Sequence, residues 1–271
     1  MLSVVRPVAL IPSASQIVNK SILFLDNKFA IYASTLALYI YDTTTFVLIK
    51  VLTVCDRTIA GFDICPTNHN LVVITSIDGS IQVWNIFDEV RVNRISLEGS
   101  GKALALWSPF TENSIAIVCN MPYFRVMLWD SVKQSNGLTE VITSRGNTLR
   151  ENVIRWNPLV ANQLAVGFEN GLINIYDTVS RSVKSLQKDG RILPVVDLRW
   201  DRLSSIYLLA AYTSFISLWD VENQTEIHAF EKQNLPIYTV NCYDIISLNN
   251  SVLCCYNIIH NIPLVITLSL C

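Results

Sequence analysis

A mark returns along this chain at nearly equal intervals: a β-type run that ends in an aromatic residue followed by Asp or Asn. It stands at Tyr41-Asp42, Trp84-Asn85, Trp129-Asp130, Tyr176-Asp177 and Trp219-Asp220, with spacings of 43, 45, 47 and 43 residues. The clearest copy runs from residue 71 to 85, where two runs rich in Val and Ile flank Asp78-Gly79. An Asp-Gly pair between such runs predicts a tight hairpin, because both central residues of the favoured turn need φ > 0. Hairpins at a fixed period of this length mean one supersecondary unit repeated, each copy burying its apolar faces against the next.

A second mark keeps the same period. The opening strand of successive units ends at Cys65-Pro66, Trp107-Ser108-Pro109, Trp156-Asn157-Pro158 and Trp200-Asp201. Proline just beyond a strand removes no ladder hydrogen bond and stops the strand there. With both marks in register, the first unit is predicted as strands over 21–25, 29–34, 36–41 and 46–52, and the second over 59–65, 71–76, 80–86 and 92–97. The third reads 103–107, 114–119 and 125–129 with a looser outer segment at 138–142. The fourth reads 153–156, 163–168, 172–176 and 182–186, and the fifth 195–200, 207–211, 215–219 and 226–230. Residues 237–243 read as the first strand of a sixth.

Composition agrees and excludes some functions. Hydrophobic residues make up 51% and charged ones 15%, the balance expected when most strands are covered on both faces. Twenty basic against 22 acidic residues leave a net charge of −2, so nucleic acid is not an expected partner. The seven cysteines include no Cys-x-x-Cys pair, and none of the three histidines has zinc-type spacing to them, so no metal is expected. Free thiols are expected instead, which points to a reducing, intracellular (cytoplasmic) compartment. Cys65 stands where other units have Trp and reads as an apolar filler. Arg6-Pro7 breaks the first apolar run, so no secretory signal is expected. Asn257, His260, Asn261 and Pro263 break the last one, well short of the ~20 apolar residues a membrane helix needs.

From about residue 20 to 230 these marks resemble the WD-repeat family. The resemblance implies an all-β fold, a WD-repeat β-propeller with five recognisable four-stranded blades and an incomplete or degenerate sixth. It also implies a non-catalytic interaction scaffold for other proteins or peptide segments, part of a larger multi-repeat protein. The structural repeat positions are then Ser76, Asp78, Gly79, Trp84, Trp107, Trp129, Trp156, Tyr176, Trp200 and Trp219. In the family an early His, a Ser or Thr, the turn Asp and the terminal Trp form a hydrogen-bonded relay. Ser76, Asp78 and Trp84 match it, but His69, His228 and His260 do not stand at the family position. Tyr176 replaces Trp in the fourth unit, and Thr213-Ser214 replaces Asp-Gly in the fifth. Without the imidazole, Asp78 must find amide N–H groups or water.

The propeller is expected over 1–243, with 244–271 as a degenerate tail that carries no Trp or Asp-Gly. Two accounts of that end stay open. Either residues 252–256 and 264–270 are strands of a sixth blade closed by residues 4–11 from the N-terminus, or the array is a piece of a seven-bladed ring and the tail is foreign to it.

No catalytic motif or phosphate-cradling Gly-rich loop appears, so neither catalytic residues nor a cofactor are expected. The alternative is a propeller hydrolase or lyase with unrecognised channel carboxylates. The candidate partner face is formed by the loops that enter each first strand, at Asp56, Arg57, Lys102, Arg150, Glu151, Arg191 and Lys232. These loops read either as a mildly basic ring suited to acidic segments or as an ordinary solvated rim. Arg155 and Arg199 occupy equivalent places before their tryptophans, and Asp197 shares a face with Arg199. Ion pairing between adjacent units is expected there.

Overall fold

The computed structural model describes residues 28–97, 101–133, 137–144, 150–187 and 192–230, and it adds four strands at backbone level, Leu23–Leu25, Asn241–Ile245, Val252–Ile259 and Ile262–Ser269. The described elements are all β, and they fall into two compact units.

The first unit holds three four-stranded antiparallel sheets, each a meander in chain order. The first sheet is β1 (Leu23–Leu25), β2 (Phe29–Ser34), β3 (Ala37–Asp42) and β4 (Leu48–Thr53). The second is β5 (Ile59–Ile64), β6 (Leu71–Ser76), β7 (Ser80–Asn85) and β8 (Val90–Ser96). The third is β9 (Ala103–Trp107), β10 (Ser114–Cys119), β11 (Phe124–Asp130) and β12 (Leu138–Ser144). The second unit repeats the plan twice, in β13 (Glu151–Trp156), β14 (Gln163–Phe168), β15 (Ile173–Asp177) and β16 (Val183–Leu186), then in β17 (Val195–Trp200), β18 (Tyr207–Tyr212), β19 (Ile216–Asp220) and β20 (Thr225–Phe230). A three-stranded sheet of β21 (Asn241–Ile245), β22 (Val252–Ile259) and β23 (Ile262–Ser269) completes it. Repeated four-stranded antiparallel sheets of this kind are consistent with propeller blades.

Burial explains why the second strands read as continuous apolar runs rather than alternating ones. In β6 the side chains of Val72 and Ile74 join Ile31, Leu38 and Ile40 of the first sheet in one core cluster. Val73 between them joins Trp107, Ile115, Ile117 and Trp129 of the third. Alternate residues point to opposite faces, and each face meets a neighbouring sheet, so every residue from Val72 to Ser76 is buried. At about 1.5–3 kcal/mol for each fully buried Val, Ile or Leu side chain, these central strands hold the unit together. The outer strands are covered on one face at most: β8 buries Ile95 and exposes Val90, Arg91, Val92 and Arg94.

Two expectations need correction. The Asp78-Gly79 hairpin is not a two-residue turn with both φ values positive. Ser76 and Ser80 bracket a three-residue loop in which only Gly79 is left-handed (φ 80°), closed by its amide donating to the Ser76 carbonyl at 3.1 Å. Gly171 repeats the arrangement (φ 87°), its amide donating to Phe168 at 3.2 Å. The looser outer segment of the third unit is a regular seven-residue strand, β12, paired along β11 with one bulge. Residues 252–259 and 262–269 form the hairpin β22–β23 against β21. The proposed closing strand at 4–11 lies outside the described residues.

Candidate functional site

The recurrent acid after the aromatic turns out to be a turn-forming group. In every described sheet of four, the side-chain oxygen of this residue accepts backbone N–H bonds from the loop that follows. Asp42 takes Thr44 and Thr45 (2.8 and 2.7 Å), Asn85 takes Phe87 and Asp88, Asp130 takes Val132, Asp177 takes Val179 and Ser180, and Asp220 takes Glu222 and Asn223. Amide donors favour the ionised carboxylate. They hold Asp42, Asp177 and Asp220 below the ordinary carboxylate range, through Thr45, Ser180 and Asn223 respectively. Burial pushes Asp130 up, but its bonds to Lys133 and Val132 outweigh that and leave it low as well. Four residues beyond the acid, Phe46, Glu89, Arg181 and Gln224 each carry a φ of 56–60°. The acid and this left-handed residue together turn the third strand into the fourth, as in a type I turn closed by a bulge.

The relay expected of Ser76, Asp78 and Trp84 is only half formed. Ser76 bonds Asp78, and the Ser80 amide donates to Asp78 Oδ1 at 3.0 Å, so the carboxylate does find an amide. These bonds outweigh the upward push of burial and lower its pKa. Trp84, half-buried, instead donates its Nε1–H to Gln82 Oε1 at 3.1 Å. In the fourth unit Asn174 Nδ2 donates to the Tyr176 hydroxyl at 2.9 Å, and burial pushes that phenol up to about 12. In the fifth, Ser217 donates to Glu226. Gln82, Asn174 and Ser217 are all buried two residues before the aromatic. The signal was visible as a polar residue inside the runs Ile-Gln-Val-Trp, Ile-Asn-Ile-Tyr and Ile-Ser-Leu-Trp.

Trp107, Trp129, Trp156, Trp200 and Trp219 are buried, as packing positions should be. Trp107 donates to the Glu112 carbonyl at 2.6 Å, and Trp200 to the Arg155 carbonyl of the preceding sheet at 3.2 Å. The residue after each strand-ending tryptophan is a second turn former that the sequence reading passed over. Ser108, Asn157 and Asp201 are buried and accept the amides of Phe110, Leu159 and Leu203. Asn157 also donates across to the Ser205 carbonyl at 3.0 Å, tying the fourth sheet to the fifth.

The expected ion pairing between adjacent units is present. Arg155 on β13 meets Asp197 on β17 at 2.7 Å, and Arg199 approaches the other oxygen of Asp197 at 3.4 Å. Asp197 is buried and also accepts the Leu198 amide at 2.9 Å. Burial lowers the Arg199 pKa, and the Asp197 charge works against that. Cys55, Cys65 and Cys119 are buried and form no disulfide. Burial, followed by the nearby Asp78 and Asp56 charges, pushes the Cys55 thiol up to about 12, which makes it a poor nucleophile.

Of the candidate partner-face residues, Asp56, Arg57 and Lys102 are exposed ahead of β5 and β9 in the first unit, and Arg150 is exposed ahead of β13 in the second. Glu151 is half-buried as the first residue of β13. Arg191 and Lys232 lie outside the described residues. Among the described residues, no group of three or more His, Cys, Asp or Glu could hold a metal ion, and no helix is long and apolar enough to cross a membrane. An open groove of about 510 Å³ on the third sheet is lined by Asn113, Asp130, Lys133 and Thr139 among others, and its carboxylate is already held by Lys133 at 3.1 Å.

No protein-family model matches the chain. A WD repeat-containing protein of Dictyostelium discoideum is 23% identical over 141 residues, which cover 51% of this chain and 7% of that protein. The chain is thus a distant homologue of a WD-repeat protein over half its length, and it matches only a small part of that relative.

Proposed function

We propose that this chain is a non-catalytic platform for protein–protein interaction, one array of WD-type blades within a larger multi-repeat protein. The observation that carries the reading is how the polar groups are distributed. The buried acids Asp197 and Asp201, and the half-buried Asp63, whose Oδ2 accepts the Trp107 amide at 2.8 Å, are each bound into the frame. Asp56, Arg57, Lys102 and Arg150 instead present exposed charge on the strand-entry loops. A hydrolase needs two carboxylates converging on one bond, and these buried acids are spent on amides and a guanidinium. The distant WD-repeat relative supports the same reading. Acidic peptide segments are the partner class that suits these loops, and the buried, unbridged Cys55, Cys65 and Cys119 suit a reducing, intracellular compartment. Binding of an acidic peptide library to the immobilised chain tests this. Charge reversal of Arg57, Lys102 and Arg150 should abolish retention of the bound peptides. Retention unchanged by all three reversals, or turnover of ester or glycoside substrates, would refute it.

A further inference from the structure

The loop that joins the second strand to the third has the same place in every four-stranded sheet but not the same character. In the second, fourth and fifth sheets it is built around turn-forming residues, at Asp78-Gly79, Asn170-Gly171 and Thr213-Ser214. Between β10 and β11 it reads Asn120-Met121-Pro122-Tyr123. Met121 is 56% exposed. Its Sδ lies 3.9 Å from where a Cβ on Gly101 would stand, which sets it over the loop that enters β9, beside the exposed Lys102. Arg125, the second residue of β11, donates from Nη2 to the Met121 carbonyl at 3.0 Å. Its Cζ sits 5.3 Å from the centroid of the Tyr123 ring, within the ~6 Å of a cation–π contact. Loop and guanidinium thus hold each other in one arrangement.

Arg125 has no counter-charge: among the described residues no carboxylate pairs with it, and its Nε is buried without a hydrogen-bond partner. Alternation along β11 puts Arg125 on the face of Met127 and Trp129, which pack with Val73, Ile81 and Val83 of the second sheet. The guanidinium therefore stands half-buried at the rim between the second and third sheets. A partly buried cation without a partner is costly, and its planar fork matches a carboxylate. Lys102 adds charge of the same sign at the same rim. Cys119 pairs with Ala103 on one side and with Arg125 on the other, so Arg125 and the residue next to Lys102 are two strand spacings, about 10 Å, apart.

We propose that this cluster anchors the strand-entry face, and that its occupant is an acidic peptide segment carrying one large aliphatic side chain. The inference rests on the platform reading and names what such a partner must contain. One carboxylate of the segment pairs with Arg125, a second lies toward Lys102, and the aliphatic side chain packs on the exposed Met121 and Pro122. Charge selects the acidic partner, and the exposed apolar loop selects the side chain beside it. Met, Tyr and Arg are the residue types enriched at interfaces. A loop stiffened by proline and a guanidinium already stacked on a ring lose little freedom on binding.

Fluorescence anisotropy on the whole chain, with labelled Glu-Glu-Leu-Glu-Glu, Glu-Glu-Ser-Glu-Glu and Lys-Lys-Leu-Lys-Lys, tests the inference. The first peptide should bind about fivefold or more tighter than the second, and the basic one should not bind. Met121→Ser should remove the preference for Leu and leave the affinity of the serine peptide unchanged, which a merely disturbed loop would not do. Arg125→Gln should weaken both acidic peptides about tenfold, and Arg125→Lys, which keeps the charge but not the fork, should recover only part of that loss. Acidic peptides that depend on Arg57 and Arg150 but show no preference for Leu and no response to Met121→Ser or Arg125→Gln would overturn the inference and leave the platform reading standing. Binding of no acidic peptide would overturn both.

Discussion

Gly167 is the penultimate residue of β14, just before the turn that Phe168 closes with Gly171 and opposite the bulge in β13, and a glycine within a strand ordinarily weakens it. A Cβ placed on it would lie 2.6 Å from Val195 Cγ1 and 2.9 Å from both Val153 Cγ1 and Val195 Cβ. Carbon atoms in contact prefer about 3.5–4.0 Å, so Gly167→Ala must open the gap between β14 and β17 by about 1 Å. Neither neighbour can swing aside, because both are β-branched and stiff at χ1 and both are buried. Overpacking of this kind costs about 1–3 kcal/mol. An unstrained Gly→Ala change would instead gain about 0.4–1 kcal/mol from the unfolded chain, so the sign itself is informative. Urea denaturation followed by circular dichroism should show Gly167→Ala less stable by about 2 kcal/mol. Val195→Ala removes the nearest obstacle, Val195 Cγ1, and leaves the two at 2.9 Å, so the double variant should be destabilised by less than the two single changes added together. A neutral or stabilising Gly167→Ala, or strict additivity with Val195→Ala, would refute the close approach of the fourth and fifth sheets.

Gln224→Gly and Arg181→Gly should each raise stability by up to about 1 kcal/mol, since both residues are held left-handed, whereas Gln224→Val should lower it; thermal melts read the difference. The turn aspartates make stability acid-sensitive. Asp42, Asp78, Asp130, Asp177 and Asp220 all titrate below their unfolded value of about 3.9, so the unfolded chain binds more protons in that range. Their contribution is present above about pH 4–5 and is lost as pH falls through the folded values, and Asp177→Asn with Asp220→Asn should flatten the measured slope. Trp129→Ala should cost about 3–5 kcal/mol by denaturant titration; Trp84→Ala should cost less, because Trp84 is only half-buried.

Strand order, strand count and the packing role of the tryptophans were legible because burial on both faces writes itself as uninterrupted Val and Ile, as in Leu71–Ser76. The Arg155–Asp197 pair was legible from alternation along a strand and equal register in adjacent units. Turn geometry was less so. Asp78-Gly79 reads alike for a two-residue and a three-residue loop, and only the register of Thr75 opposite Ile81, which leaves Ser76 and Ser80 at the ends of the loop, separates them. Gln82, Asn174 and Ser217 escaped notice because a lone polar residue in an apolar run looks like a defect until its partner, Trp84, Tyr176 or Glu226, is seen beside it. The exposure of β4 escaped for the opposite reason. Residues 46–52 read as an ordinary apolar strand, and nothing local distinguishes an apolar run that is covered from one left exposed.

Amide hydrogen exchange along the whole chain tests the repeat most directly. The account predicts slow exchange across β2–β3, β6–β7, β10–β11, β14–β15 and β18–β19, where paired central strands are buried. Fast exchange should recur in the loops after Asp42, Asn85, Asp130, Asp177 and Asp220 at the spacing of the aromatic-acid marks. Protection that runs unbroken through those loops, or minima that ignore that spacing, would contradict it.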